Sequence, residues 1–346
     1  MAIAYLVNMV LMFFPGIPEL ISDIFLGVVT IIGFSQFVFY FRIFDPFFKK
    51  KEGYNVSGVV KPSEEPKFQI IIGGHHDSVR EYTFLRKKFQ YWYGIRILLG
   101  TIVYLLVVAV MIADEIHYLI VGAQFPWFGG FRIFVLAASI LVLQFYFFEG
   151  KQITPGAGDN LIASTMAVKI GELFREMNKK GEMELKHTQI VLLSTDAEEA
   201  GLRGAMAFAK KYDEQLHKIP TAIINIDSIY DADEIQILTR DINGFTPLAE
   251  NLAKEVKGVA DALGYKTRLF PFKFFGGGTD SGAYARAGVD STTIIGMSTD
   301  TFRDGLYYHT VDDTVEHIEP ESVEMCLDIL ANYVAKKEKE LQEKYD

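Results

Sequence analysis

The sequence predicts an α/β fold, a mostly parallel sheet covered on both faces by helices, joined to transmembrane helices. From Gly150 onward, short β-branched runs alternate with segments of helical periodicity, the pattern of parallel strands linked by crossover helices. Before that point lie three long apolar stretches without charge, Ile24 to Phe41, Ile97 to Ala113 and Ile133 to Phe148. Half of the 346 residues are hydrophobic, 28 of them Phe, and the mean hydropathy is +0.17, too apolar for a purely soluble chain.

The other bulk properties narrow the chemistry. A net charge of −10 argues against nucleic acid, which wants a basic patch. The one cysteine, Cys326, excludes an intrachain disulfide and leaves any metal to histidines and carboxylates.

Taken in order, residues 1–14 are apolar, lack the basic region and small-residue cleavage site of a signal peptide, and end at Pro15-Gly16-Ile17-Pro18. They read as a short spanning helix or a re-entrant segment. The Ile24 to Phe41 span exits through Arg42, Asp45-Pro46 and Lys49-Lys50-Lys51. Tyr54 to Val60 and Phe68 to Ile72 read as strands around a Pro-Ser-Glu-Glu-Pro turn. The stretches Ile97 to Ala113 and Ile133 to Phe148 form a membrane hairpin, with Tyr118, Trp127 and Tyr146 as interfacial aromatics. Strands then follow at Gln189 to Leu193, Ala222 to Ile226, Glu234 to Leu238, Thr267 to Phe272 and Thr292 to Ile295. Helices fall at Leu161 to Met177, Leu202 to Tyr212, Pro247 to Leu263 and Ser322 to Glu343.

Polar residues with chemical potential collect where strands end. Phe68 to Ile72 runs into Gly73-Gly74-His75-His76-Asp77-Ser78, and open α/β folds place ligands beyond such carboxyl edges. A His-x-Asp there suits a metal ligand with a carboxylate fixing its tautomer. Asp159, before a helix, can be an N-cap or a ligand. Glu198-Glu199 follows one strand, Asp227 ends another, and His309 supplies a second imidazole late in the chain.

Six stretches, GGHHDS, GAGDN, DAEEAGLRGA, NIDS, GGGTDSGAYARAGV and YYHTVDDT, resemble in this order the motifs of metallopeptidase family 28, the clan MH co-catalytic zinc aminopeptidases. The resemblance implies a three-layer α/β sandwich with a mixed central sheet and two zinc ions per chain, in sites that would also take cobalt or manganese. Carried over by motif, His75 and Asp227 bind one ion, Glu199 and His309 the other, and Asp159 bridges both. Asp77 orients His75, and Glu198 is the general base for a water activated between the ions. The Asp159–Asn160 peptide is expected to be cis. Two departures stand out. The hairpin separates His75 from Asp159, and some relatives place an oxyanion-stabilising Tyr where this chain has Phe274-Phe275-Gly276-Gly277-Gly278. Tyr307 and Tyr308 are the substitutes considered for that role, which stays unassigned.

The chain divides accordingly. Residues 1–48 form a membrane segment of one or two helices, 49–94 the first part of the catalytic domain, 95–149 a transmembrane hairpin insertion, and 150–346 the remainder of the domain. Arg42, Lys49, Lys50, Lys51, Arg86, Lys87, Lys88, Arg96 and Lys151 fall on one side of the spans, with only Arg132 opposite. The positive-inside rule then places the catalytic domain on the cytoplasmic side of an integral membrane protein. The expected function is a membrane-anchored aminopeptidase acting on peptides, hydrophobic ones among them, beside the lipid bilayer. A glutaminyl-cyclase-like single-zinc acyltransferase and a catalytically silent scaffold are the alternatives. A transporter is disfavoured because the expected spans carry no charge at their centres.

Overall fold

A computed structural model describes residues 1–299 and 305–346. Ten strands and ten α-helices alternate through it. The N-terminal part contains α1 (Ala2–Leu11), α2 (Ile17–Gly33, prolonged by a π-turn over Phe34–Val38), β1 (Val56–Val60), β2 (Phe68–His75) and β3 (Arg80–Tyr82). The hairpin helices α3 (Tyr93–Val121) and α4 (Phe128–Leu143) follow, then β4 (Glu149–Ile153). The remainder comprises α5 (Ile162–Lys180), β5 (Thr188–Thr195), α6 (Arg203–Lys211), α7 (Asp213–Lys218), β6 (Thr221–Ile229), β7 (Ile235–Asp241), β8 (Thr246–Pro247), α8 (Glu250–Ala262), β9 (Arg268–Pro271), α9 (Asp280–Arg286), β10 (Asp290–Gly296) and α10 (Pro320–Tyr345).

Eight strands form one mixed sheet in the order β1-β5-β2-β6-β10-β7-β8, with β9 beside β7. Its centre is parallel: β2 pairs with β5 and β6, and β6 with β10, while β1 and β7 run antiparallel to β5 and β10. Ile70, Ile72, Ile190, Ile224 and Ile294 point to one face, under α5, α8 and α10. Ile71, Val191, Leu193 and Ile223 point to the other, under α6 and α9. Both faces are thus buried, as near-continuous β-branched strands require. The alternation expected from the sequence holds throughout, with each strand end shifted by a residue or a few. Five elements are additional to that reading: the short strands β3, β4 and β8, the helix α7, and α9, which arises within the glycine-rich GGGTDSGAYARAGV stretch, starting directly after Thr279.

Register around the site depends on Gly73. It faces Leu193 across the β2–β5 pair, and a Cβ at position 73 would come within 1.7 Å of the Leu193 carbonyl oxygen. The obstruction is backbone, so no rotamer relieves it. Gly73→Ala is therefore expected to cost more than the ~1–3 kcal/mol of ordinary core overpacking. The midpoint of thermal unfolding, followed by near-ultraviolet circular dichroism in detergent, checks this. A midpoint equal to the parent's contradicts the register.

Among the described residues, three helical segments are long and apolar enough to cross a membrane: Ile17–Val38, Gln90–Val121 and Phe128–Phe147. Each is longer than the sequence reading, and the first begins well before Ile24. Its added turns bring in Glu19, Ser22 and Asp23, all buried within the bundle. Asn8 Nδ2 donates to Asp23 Oδ1 at 2.6 Å, and Arg132 pairs with Glu19 at 3.0 Å. The bundle interior is therefore more polar than the sequence suggested, with Glu19 held by Arg132 and Asp23 by Asn8. At ten residues, α1 is roughly 15 Å long, about half a hydrocarbon core. The short-span reading of residues 1–14 does not hold by length.

A two-stranded ribbon, β3 with β4, closes the base of the hairpin, pairing Arg80 with Ile153 and Tyr82 with Glu149. Both hairpin ends are thereby brought back to one place beside the carboxyl edge of the sheet.

Candidate metal centre

The carboxyl edge of the parallel strands gathers every residue singled out in the sequence. His75 is the last residue of β2, Glu198 and Glu199 follow β5, and Asp227 lies near the end of β6. Asp159 arrives on the loop before α5, and His309 on the loop before α10. The Asp159–Asn160 peptide is cis, as expected.

Two groups of three emerge. His75, Asp159 and Asp227 form one, and Asp159, Glu199 and His309 the other; within each, potential ligand atoms all lie within 4.8 Å. His75 Nε2 is 3.1 Å from Asp159 Oδ1 and 4.0 Å from Asp227 Oδ1. His309 Nε2 is 3.0 Å from Glu199 Oε1 and 3.1 Å from Asp159 Oδ2. Asp159 thus offers one oxygen to each imidazole. Glu198 belongs to neither group, but its Oε2 lies 3.9 Å from His75 Nε2.

This is a dense concentration of buried like charge. Five carboxylates, of Asp77, Asp159, Glu198, Glu199 and Asp227, surround two imidazoles. Burial pushes the Glu198 carboxyl well up, and the neighbouring Asp227 and Glu199 add to the effect while His75 opposes it. Burial likewise raises Asp227, to about 8. Burial alone would depress both imidazoles, yet the carboxylates around them win: His75 is raised, and His309 reaches about 10. Asp159 is held low because His309 and His75 outweigh its burial. The buried Asp159 Oδ2 accepts no well-formed hydrogen bond among the described residues despite its 3.1 Å approach to His309. An oxygen and nitrogen donor set converging with excess negative charge fits divalent cations.

Supporting contacts fix these groups. The Asp77 carboxylate lies 3.4 Å from His75 Nδ1 and also accepts the backbone N–H groups of Glu198 and Glu199, at 3.0 and 3.2 Å. The second task was not read from the sequence: one side chain positions ligands from two strands. Asp313, also missed, accepts the N–H groups of Gly158 and Asp159. It follows Asp312 in the YYHTVDDT stretch, and nothing in the sequence separates the two aspartates. Asn160 Nδ2 donates to the Ile226 carbonyl at 2.8 Å, tying the Asp159 loop to β6.

The remaining histidines stay outside. His76 bonds Ser194, His117 lies near the Ala123 carbonyl, His187 meets Asp346, His217 bonds the Asp213 carbonyl, and His317 stacks on Tyr307. Of the two tyrosines considered for the oxyanion role, Tyr307 is thus engaged with His317 at a centroid distance of 3.9 Å. Tyr308 stacks on His309 at 3.6 Å. Tyr82, from the ribbon, packs edge-on against His309 at 4.4 Å, and its N–H donates to the His309 carbonyl.

The chain is similar in sequence and in fold to several known proteins. Aminopeptidase YwaD of Bacillus subtilis (strain 168) is 23% identical over 199 residues, covering 56% of this chain and 40% of the relative. The chain therefore spans well under half the length of that curated relative. Among solved structures, the aminopeptidase from Aneurinibacillus sp. strain AM-1 matches at 17% identity, over 82% of this chain and 47% of that one, with a TM-score of 0.48. A glutaminyl cyclase from Fimbriiglobus ruber matches at 14% identity, over 82% and 74%, with the same TM-score. The pattern of Peptidase family M28 matches residues 145–334. That span holds Asp159, Glu198, Glu199, Asp227 and His309, and the sheet supplies His75 and Asp77 from upstream. Over more than half its length, then, this chain carries the family's sequence pattern: it belongs to peptidase family M28.

Proposed function

We propose that the protein is a membrane-anchored zinc aminopeptidase that removes N-terminal residues from peptides. The observation that carries this reading is the pair of three-residue groups sharing Asp159, with Glu198 beside them and outside both. His75, Asp159 and Asp227 would hold one zinc ion, and Asp159, Glu199 and His309 the second. Zinc in such a site supplies Lewis acidity and lowers the pKa of water toward neutrality.

The chain's own groups do the rest. Glu198 takes a proton from the attacking water and returns it to the departing amine, its Oε2 lying 3.9 Å from His75 Nε2 and outside both groups. Asp77 keeps His75 in place and holds the Glu198–Glu199 turn through two backbone amides. Ala197 and His309 adopt left-handed backbone conformations, φ 56° and 54°, which persist in non-glycine residues only where surrounding contacts impose them.

The three long apolar helices are read as membrane spans, with the catalytic domain on the cytoplasmic side. Arg132, paired with Glu19, is the one Lys or Arg at the far end of the bundle, against nine at the end nearer the sheet. A site held close to the bilayer is supported by the β3–β4 ribbon, whose Tyr82, at the root of the hairpin, packs against His309. Peptides that partition into its surface are the favoured substrates.

The test is hydrolysis of an aminoacyl reporter panel, free and N-acetylated, by the full-length protein in detergent. The free series is cleaved and the acetylated series spared; a chelator stops cleavage, and zinc, cobalt or manganese restores it. Two metal ions per chain by mass spectrometry accompany activity. One ion per chain with cyclisation of N-terminal glutamine instead establishes the acyltransferase reading, and no turnover with full metal sites establishes the scaffold.

A further inference from the structure

We propose that the segment leaving the first apolar helix is part of the active site, with Tyr40 donating a hydrogen bond from its phenol to a carbonyl oxygen of the bound peptide. The inference rests on the peptidase reading above. Its basis is where the chain goes after the π-turn ends at Val38.

Residues 38–45 are bolted to the rim of the metal centre. Asn243 Nδ2 donates to the Val38 carbonyl at 3.0 Å, while Asn243 Oδ1 accepts the Gly277 N–H at 3.1 Å. Arg286 donates to the Phe39 carbonyl at 2.7 Å, and the Phe39 ring packs against Phe245 at 5.0 Å. Arg203 pairs with Asp45. Tyr40 itself sits at φ 54°, a left-handed conformation that a bulky residue adopts only under constraint. So anchored, its ring lies between two loops of the site. A Cβ on Gly278 would meet Tyr40 Cζ at 3.1 Å and Oη at 3.3 Å, and one on Gly201 would meet its Cδ1 at 3.8 Å. Gly201 belongs to the turn that carries Glu198 and Glu199, and its N–H bonds the Glu198 carbonyl.

The chemistry follows from what surrounds the hydroxyl. Burial pushes the phenol's pKa up, and Glu198, Asp241, Glu199 and Asp227 add to the effect. No hydrogen-bond partner for Oη is found among the described residues. Ionised carboxylates only accept hydrogen bonds, so they offer nothing to a peptide carbonyl. Tyr82 and Tyr308 commit their rings to His309. Tyr40 stands on the Glu198 side as a neutral donor. It also fills the space above Gly278, where the Phe274–Gly278 loop presents no polar side chain of its own.

Tyr40→Phe keeps the ring and removes the hydroxyl. Turnover of the aminoacyl reporters is expected to fall at least tenfold, toward the ~10²–10³-fold typical of losing one oxyanion donor. The loss appears in kcat rather than KM, with metal content and thermal midpoint unchanged. Replacing Tyr40 by 3-fluorotyrosine gives a second readout: its fluorine resonance shifts when a leucyl peptide is added to chelator-treated protein. Parent-like kcat in Tyr40→Phe, or a resonance that ignores the peptide, overturns the assignment to Tyr40. A parent protein that cleaves no reporter overturns the peptidase reading, and this inference with it.

Discussion

The protein carrying Glu198→Gln is expected to bind metal as the parent does and to lose about 10²–10⁴-fold in kcat, the usual contribution of a positioned general base. The expectation follows from what Glu198 touches. It belongs to neither group of candidate ligands, so the amide leaves both intact. Its backbone N–H is held by Asp77, an interaction that the substitution does not alter. Glutamine keeps the shape of the side chain and cannot take up a proton. Metal analysis alongside steady-state kinetics separates the two effects. Parent-like turnover removes Glu198 from the proton transfer, and a fall in bound metal makes it a ligand instead.

Asp159→Ala has the largest expected effect on metal content. Each Asp159 oxygen faces a different imidazole, so a single truncation depletes both groups. His309→Ala removes one member of one group and leaves His75, Asp159 and Asp227 in place. The expected order of bound zinc is therefore parent, then His309→Ala, then Asp159→Ala, with the last close to none. Ligand binding to the folded state raises stability by RT ln(1 + [L]/Kd), or about 2.7 kcal/mol at a hundredfold excess over Kd. The parent's thermal midpoint should accordingly rise with added zinc while that of Asp159→Ala stays still. Equal stoichiometry in the two variants would show that Asp159 does not serve both groups.

Much of this site was legible because its residues sit where strands end. An apolar run stopping on His75 or Asp227 announces a buried strand delivering a polar group to an edge, and chain order did the rest. What escaped notice lacked that frame. Asp313 works through backbone amides of a distant loop, a partnership visible only after folding. Tyr40 stands among phenylalanines at the end of an apolar helix, where composition suggests lipid contact. The start of α2 was placed too late for a more specific reason. Pro18 was taken as a stop, but proline fits the first turn of a helix, where its missing N–H is not needed, and α2 begins at Ile17. Glu19 and Asp23 were thereby excluded from a span that contains them.

The β3–β4 ribbon has a consequence for how the molecule could be taken apart. Because Tyr82 and Glu149 are already neighbours, everything between them is a closed loop as far as the sheet is concerned. Loop-closure entropy grows only logarithmically, by about 0.6 kcal/mol per doubling of length. Loop closure therefore does not oppose exchanging the hairpin for a short glycine–serine bridge; what the exchange gives up is its packing on the N-terminal helices, where Arg132 meets Glu19 and Tyr104 meets Thr30. Helix α2 is different in kind. Its continuation is threaded between Asn243, Arg286, Arg203 and Gly278, so cutting it away removes a wall rather than a tether. On the reading proposed above, a water-soluble version of this protein should be sought by excising the hairpin and repainting the exposed face of α2, keeping the chain from Val38 onward intact.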